Sequence, residues 1–152
     1  MNSGDLVLFR GRGFIPWVIR VWTRSRWGHC GVLWICEGQP LVIEARFGMG
    51  VSAHALANRM DDFPEVFPTG RPMNLALGLS QLGDWYSVKD ALRASIGLPA
   101  EAVGYECAEL AADLLGLGGH EIGWTPQRLA NAIFLPGGRM GTEHKTNETS
   151  EP

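Results

Sequence analysis

Three residues of the types that together manage acyl transfer stand far apart in this chain. They are His29 in Trp27-Gly28-His29-Cys30-Gly31-Val32, Glu44 in Leu41-Val42-Ile43-Glu44-Ala45, and Cys107 in Tyr105-Glu106-Cys107-Ala108-Glu109-Leu110. A thiolate attacks a carbonyl carbon, an imidazole moves the proton, and a carboxylate fixes the imidazole tautomer. Cys107 stands where a polar segment marked by Gly and Pro gives way to a helix-forming run. A helix N-terminus presents unpaired N–H groups and partial positive charge, which favour thiolate over thiol. Glu44 carries the more demanding signal, because a carboxylate between Ile43 and Ala45 of an apolar strand costs free energy unless something pairs with it.

Each residue also has a plainer reading. Cys107 shares an apolar helical stripe with Leu110, Ala111, Leu114 and Leu115, and an unreactive buried cysteine is a common core residue. A single strand histidine is more often a hydrogen-bonded structural group than a base. Arg46, two residues after Glu44, is the plain partner for that carboxylate. Cys30 follows His29 directly, so it points to the opposite strand face and reads as packing. His54 joins His29, Cys30, Cys36 and Cys107 in a list of metal-binding types, but no C-x-x-C pair occurs, which leaves no metal and no cofactor expected.

The elements that must position these residues follow from periodicity and punctuation. Asp5 to Phe9 reads as a first strand broken by Gly11-Arg12-Gly13, and Ile15, Val18, Ile19 and Trp22 recur at helical spacing up to about Thr23. Two β-rich runs follow, His29 to Cys36 and Leu41 to Phe47, with Glu37-Gly38-Gln39-Pro40 between them. A two-residue turn at Glu37-Gly38 makes the numbers of every facing pair add to the same sum as Cys36 and Gln39. His29 then faces Arg46, with Glu44 a diagonal neighbour on the same face, about 7–8 Å away at the backbone and within side-chain reach.

The chain breaks and restarts at Gly48 to Val51, and Pro64, Pro68, Gly70 and Pro72 mark a looped or edge-strand region. Asn74 to Leu82 is helix-compatible, and Val88, Ala91, Leu92 and Ile96 outline another short helix. The cysteine helix stops at Gly116, and Thr125-Pro126 starts a last one, with threonine as cap and proline at the first helical position. Residues 1–136 read as a single catalytic domain. From 137 to 152 the chain has almost nothing to bury and reads as a disordered polar tail.

At 152 residues, 45% hydrophobic and 19% charged, the chain has enough for one core and too little for two. The net charge of −3 gives no global attraction to nucleic acid, although Arg10, Arg12, Arg20, Arg24 and Arg26 form a local basic rim. No stretch approaches the roughly eighteen apolar residues of a membrane span, and the start lacks the pattern of an export signal. The expected location is cytoplasmic or phage-associated. Cys30 and Cys36 lie six residues apart on one strand, roughly 20 Å, too far to bridge. Six tryptophans are many for this length, and Trp17, Trp22 and Trp27, just ahead of the histidine strand, are candidates for the wall of a substrate cleft. Asp61-Asp62, Glu106 and Glu109 read as solvated or capping groups.

Taken in order, Gly4-Asp5-Leu6-Val7, Gly28-His29-Cys30-Gly31-Val32, Val42-Ile43-Glu44-Ala45 with Gly50-Val51, Gly83-Asp84-Trp85-Tyr86-Ser87, Glu106-Cys107-Ala108-Glu109-Leu110 and Thr125-Pro126-Gln127-Arg128-Leu129 resemble the circularly permuted NlpC-like papain-fold cysteine peptidases, in particular the YiiX/YaeF-like branch. The resemblance spans roughly residues 4–136. It implies an α+β fold in which a small antiparallel sheet packs against the helix that carries the nucleophile, with histidine and glutamate preceding cysteine in the chain.

It further implies a cysteine amidase or peptidase acting through a thioester on a small peptide-like substrate, such as a peptidoglycan peptide. Cys107 would be the nucleophile, His29 the general base and acid, Glu44 the orienting carboxylate, and the Cys107 N–H one oxyanion donor with Tyr105 a candidate second. Two alternatives stand beside this one. A lipid acyltransferase or thioesterase of the same permuted fold is one, although the Asn-Cys-Glu-His pattern of that branch is missing from Glu106-Cys107-Ala108-Glu109. A non-catalytic binding or phage structural module is the other.

Overall fold

The computed structural model describes residues 1–85, 106–118 and 123–134, without the side chains of Ile15, Pro16, Ile19, Trp22 and Thr23. The expected helix around residues 88–96, Tyr105, and the tail from 137 lie outside the described residues.

Five strands form one antiparallel sheet. They are β1 (Leu6–Phe9), β2 (His29–Cys36), β3 (Gln39–Arg46), β4 (Gly50–Ala55) and β5 (Pro64–Phe67), in the spatial order β4-β3-β2-β1-β5. Helix α1 (Phe14–Thr23) links β1 to β2, and a 3₁₀ segment (Leu56–Asp62) links β4 to β5. Helices α2 (Leu75–Ser80), α3 (Cys107–Leu114) and α4 (Pro126–Phe134) complete the described elements. The proline-marked region after residue 62 thus supplies an edge strand, a position where proline's missing N–H is tolerated.

The hairpin of β2 and β3 has the register expected from its turn. Glu37 and Gly38 both take positive φ, 48° and 76°, as a two-residue hairpin turn with the right twist requires. Pairing runs from Cys36↔Gln39 to Val32↔Ile43. The paired ladder stops there, short of His29, which on its other edge pairs with Phe9 of β1. Gly31 marks the place: a β-carbon on it would lie 2.6 Å from Val42 Cγ1 and 2.8 Å from the Ile43 carbonyl oxygen. The two strands approach here more closely than any side chain at position 31 would allow.

Alternation along the strands divides the core between two faces. Leu6, Leu8, Cys30, Val32, Ile43, Ala45 and Val51 pack with α3 and α4 through Cys107, Leu110, Ala111, Leu114 and Leu129. Val7, Phe9, Leu33 and Val42 form a smaller cluster with Leu56 of the 3₁₀ segment on the opposite face. Because both faces are covered, β1 is buried along its whole length and reads as an unbroken apolar run. The start of α2 is tied to the end of α3 by a hydrogen bond from the Asn74 N–H to the Leu114 carbonyl, 2.8 Å. Thr125 caps α4 as its sequence suggested, its Oγ1 accepting from the Arg128 N–H at 3.2 Å.

Candidate active site

Helix α3 opens at Cys107 with Glu106 as its N-cap. The Glu106 carboxyl accepts the Glu109 N–H at 2.9 Å, so the helix begins where the nucleophile candidate stands and aims its N-terminal partial charge there. Both Glu106 and Glu109 are buried, which corrects the expectation of solvated groups for the pair; the capping role applies to Glu106. They lie on the helix that the sheet covers.

His29 begins β2, and its Nε2 is 2.7 Å from Oε2 of Glu44 on β3. The Glu44 side chain is fully buried, whereas the imidazole keeps 12% of its surface in solvent. The ring's other nitrogen, Nδ1, is left free of Glu44, and Cys107 is near enough for its charge to raise the imidazole. The fold therefore brings His29, Glu44 and Cys107 together from β2, β3 and α3. Phe9 stacks at a tilt on the imidazole with ring centroids 5.5 Å apart, limiting its rotation.

Two participants went unnoticed in the sequence. The cation facing Glu44 is Arg59 of the 3₁₀ segment rather than Arg46. Arg59 Nη2 donates to Glu44 Oε2 at 3.0 Å, and Nε lies 2.9 Å from Oε1 as an ion-pair contact without hydrogen-bond alignment. The guanidinium also pairs with Asp62 and lies over the Phe9 ring, 4.8 Å from its centroid. The demand for a cation was legible in the buried carboxylate, but the choice among arginines depends on how the chain turns after β4. The second participant is Cys30, which does occupy the opposite strand face from His29. It packs in the same core cluster as Cys107 and, beyond packing, favours the thiolate form there.

The electrostatics favour an ion pair. The hydrogen bond from Cys30 pulls the Cys107 thiol well below its ordinary value; burial opposes this, and the positive charge of His29 adds to it. Burial pushes His29 down, but the charge and hydrogen bond of Cys107 and the Glu44 carboxylate outweigh it and raise the imidazole to about 9. Glu44 is lowered despite its burial, through His29 first and Arg59 second. Burial, reinforced by the neighbouring Cys107 and Glu109 charges, raises Glu106 well above the carboxylate range. These directions favour a Cys107 thiolate beside a His29 imidazolium and a Glu44 carboxylate, and they favour the neutral form of Glu106.

The tryptophan expectations divide. Trp17 is exposed and lines a groove of about 670 Å³ with Arg10, Arg12, Phe14, Arg20 and Phe63. Trp27 does not wall a cleft: just ahead of β2 it is 4% exposed, packed into the core edge-on to Phe67 at 5.7 Å. The Trp22 side chain and Tyr105 lie outside the description.

No family model and no curated protein matches this chain. Among solved structures it is similar to one described as the metalloprotein YiiX from Escherichia coli O157:H7, DUF1105, with a TM-score of 0.58 and 18% sequence identity over 76% of this chain and 67% of that one. Among the described residues no group of three His, Cys, Asp or Glu is arranged to hold a metal ion. The carboxylate best placed beside His29 is already held by the Arg59 guanidinium, which repels a divalent cation. The chain is α+β, built on a small five-stranded antiparallel sheet, and shares the fold of YiiX.

Proposed function

We propose that this protein is a cysteine-dependent amide hydrolase of the permuted papain-like type, acting through a thioester on a small peptide-like substrate such as a cell-wall peptide. The observation that carries the reading is the His29–Glu44 pair, 2.7 Å apart with its carboxylate fully buried, on the sheet against which Cys107 opens helix α3. Packing alone has no need of a charged pair at the end of a strand beside a helix N-terminus.

The Cys107 thiolate attacks the amide carbonyl, and the Cys107 N–H at the first turn of α3 helps bear the oxyanion. The C–N bond breaks as His29 gives its Nδ1 proton to the leaving amine, which leaves a thioester on Cys107. Neutral His29 then takes a proton from water, the resulting hydroxide equivalent attacks the thioester, and the C–S bond breaks to release the acid and the thiolate. Glu44 fixes Nε2–H throughout, so that Nδ1 faces the sulfur, and Arg59 fixes Glu44. Cys107 is only 1% exposed, so substrate must approach from the partly open His29 side with local movement around the sulfur.

The test is turnover of a panel of peptide amides and peptidoglycan stem peptides, read by mass spectrometry, with wild type and Cys107→Ala. The expected result is hydrolysis by wild type alone, with a transient acyl mass on Cys107. Hydrolysis that persists unchanged in Cys107→Ala overturns the reading.

A further inference from the structure

Helix α1 presents an unusual surface. Phe14, Trp17 and Val21 fall on one helical face at spacings of three and four, and they are 75%, 51% and 58% exposed. Phe14 and Trp17 stack on each other, 5.9 Å between centroids, with no core element over them. Against the other described elements α1 makes no extensive packing contact. Phe63, also exposed, extends the apolar surface across the groove, with the Arg12 guanidinium over its ring at 5.2 Å.

Charge surrounds this face. Residues 10–26 carry five arginines and no acidic residue, in a chain whose net charge is −3. Arg10 and Arg26 both turn to Glu65, at 3.5 and 2.8 Å, and Arg12 stands 3.9 Å from Asp61. Among the described residues Arg20 and Arg24 have no acidic partner. Arg20 lies beside Trp17 along the groove, and Arg24 follows the last turn of the helix, so both cations border the apolar stripe.

We infer that the exposed face of α1 docks on the surface of an anionic lipid bilayer, with Phe14, Trp17 and Val21 entering the headgroup boundary and Arg20 and Arg24 meeting lipid phosphates. Aromatic and aliphatic side chains between arginines are what an interfacial helix needs, and charge complementarity selects the anionic leaflet. A second copy of the chain fits less well, since a two-fold contact would set the unpaired arginines of one copy against those of the other. A nucleic acid would satisfy the arginines but leave Val21 and the outer edge of Phe14 without a partner. This docking is independent of the chemistry at Cys107.

The experiment is co-sedimentation of the full chain with vesicles of phosphatidylcholine alone and of phosphatidylcholine with 30% phosphatidylglycerol, at low and high salt. The variants are Phe14→Ser/Val21→Ser and Arg20→Gln/Arg24→Gln, with folding checked by circular dichroism. Wild type is expected to sediment with the anionic vesicles and to be released by salt. Each arginine removed should lower partitioning roughly fivefold, and the serine pair should lower it at least tenfold. Equal partitioning into both vesicle types, no partitioning, or wild-type behaviour in both variants overturns the proposal. So does a concentration-dependent dimer that the serine pair abolishes while lipid has no effect.

Discussion

The guanidinium of Arg59 meets both carboxylate oxygens of Glu44, at 2.9 and 3.0 Å, inside the protein, and the same carboxylate holds His29 at 2.7 Å. Glu44 is thus neutralised from one side and used from the other. Its orientation is set by a residue from outside the Cys107–His29–Glu44 set.

Removing the guanidinium leaves that carboxylate buried beside the imidazole alone. Arg59→Met should cost about 3–5 kcal/mol, the usual penalty for stranding one half of a buried ion pair. Urea denaturation measures it. Arg59→Met with Glu44→Gln should recover part of the loss, and a double variant no more stable than Arg59→Met would show that the guanidinium acts elsewhere.

The pH profile of Cys107 alkylation follows from the shifts of the pair. The thiol is lowered and the imidazole raised to about 9, so the ion pair should persist between the depressed thiol value and about 9. Iodoacetamide labelling should therefore inflect well below the free-thiol value of about 8.5, and amide turnover should fall again on an alkaline limb near 9 as His29 loses the proton it must donate. In His29→Ala the labelling inflection should move up towards the ordinary thiol range. Cys30→Ala should move it in the same direction, since the Cys30 thiol is the largest stabiliser of the thiolate. Identical profiles in all three proteins would contradict the ion pair.

Gly31 tests the strand approach that brings Glu44 to His29. A β-carbon there would stand 2.6 Å from Val42 Cγ1, 2.8 Å from the Ile43 carbonyl oxygen and 3.1 Å from Glu44 Cβ. Gly31→Ala should force β3 away from β2 at a cost of about 1–3 kcal/mol. Its activity should fall by more than its folded fraction, because Glu44 moves with the strand. Normal kcat in the folded fraction would show that the site tolerates the shift.

Glu106 gives a stability effect of the opposite sign from the usual carboxylate. Its pKa is raised in the folded state, so the native protein holds a proton that the unfolded chain releases, and stability falls as pH rises from the unfolded value near 4.3 towards the folded one. Glu106→Gln keeps the cap acceptor and removes the titration. It should raise Tm at neutral pH, by roughly 2–4 °C for each kcal/mol gained, with the gain vanishing below about pH 4. A gain that is the same at pH 4 and pH 8 would exclude the protonation mechanism.

Much of the architecture was legible because it depends on near neighbours. Positive φ at Glu37-Gly38 fixes the hairpin register, Thr125-Pro126 starts a helix, and the polar-to-apolar change before Cys107 marks another. His29, Glu44 and Cys107 stood out by type and by their places on those elements. What the sequence left open was decided by contacts between segments distant in the chain. The paired ladder between β2 and β3 stops at Val32↔Ile43, and His29 is held from its other edge by Phe9 of β1. The turn after β4 selects Arg59 as the cation for Glu44, and the packing of α3 on the sheet sets Cys30 in one cluster with Cys107. A buried charge states locally that it needs a partner, because desolvation is a property of the residue's own surroundings. Which partner it receives is a property of the closed fold, because an ion pair forms between side chains that only the packed core brings within 3 Å of each other.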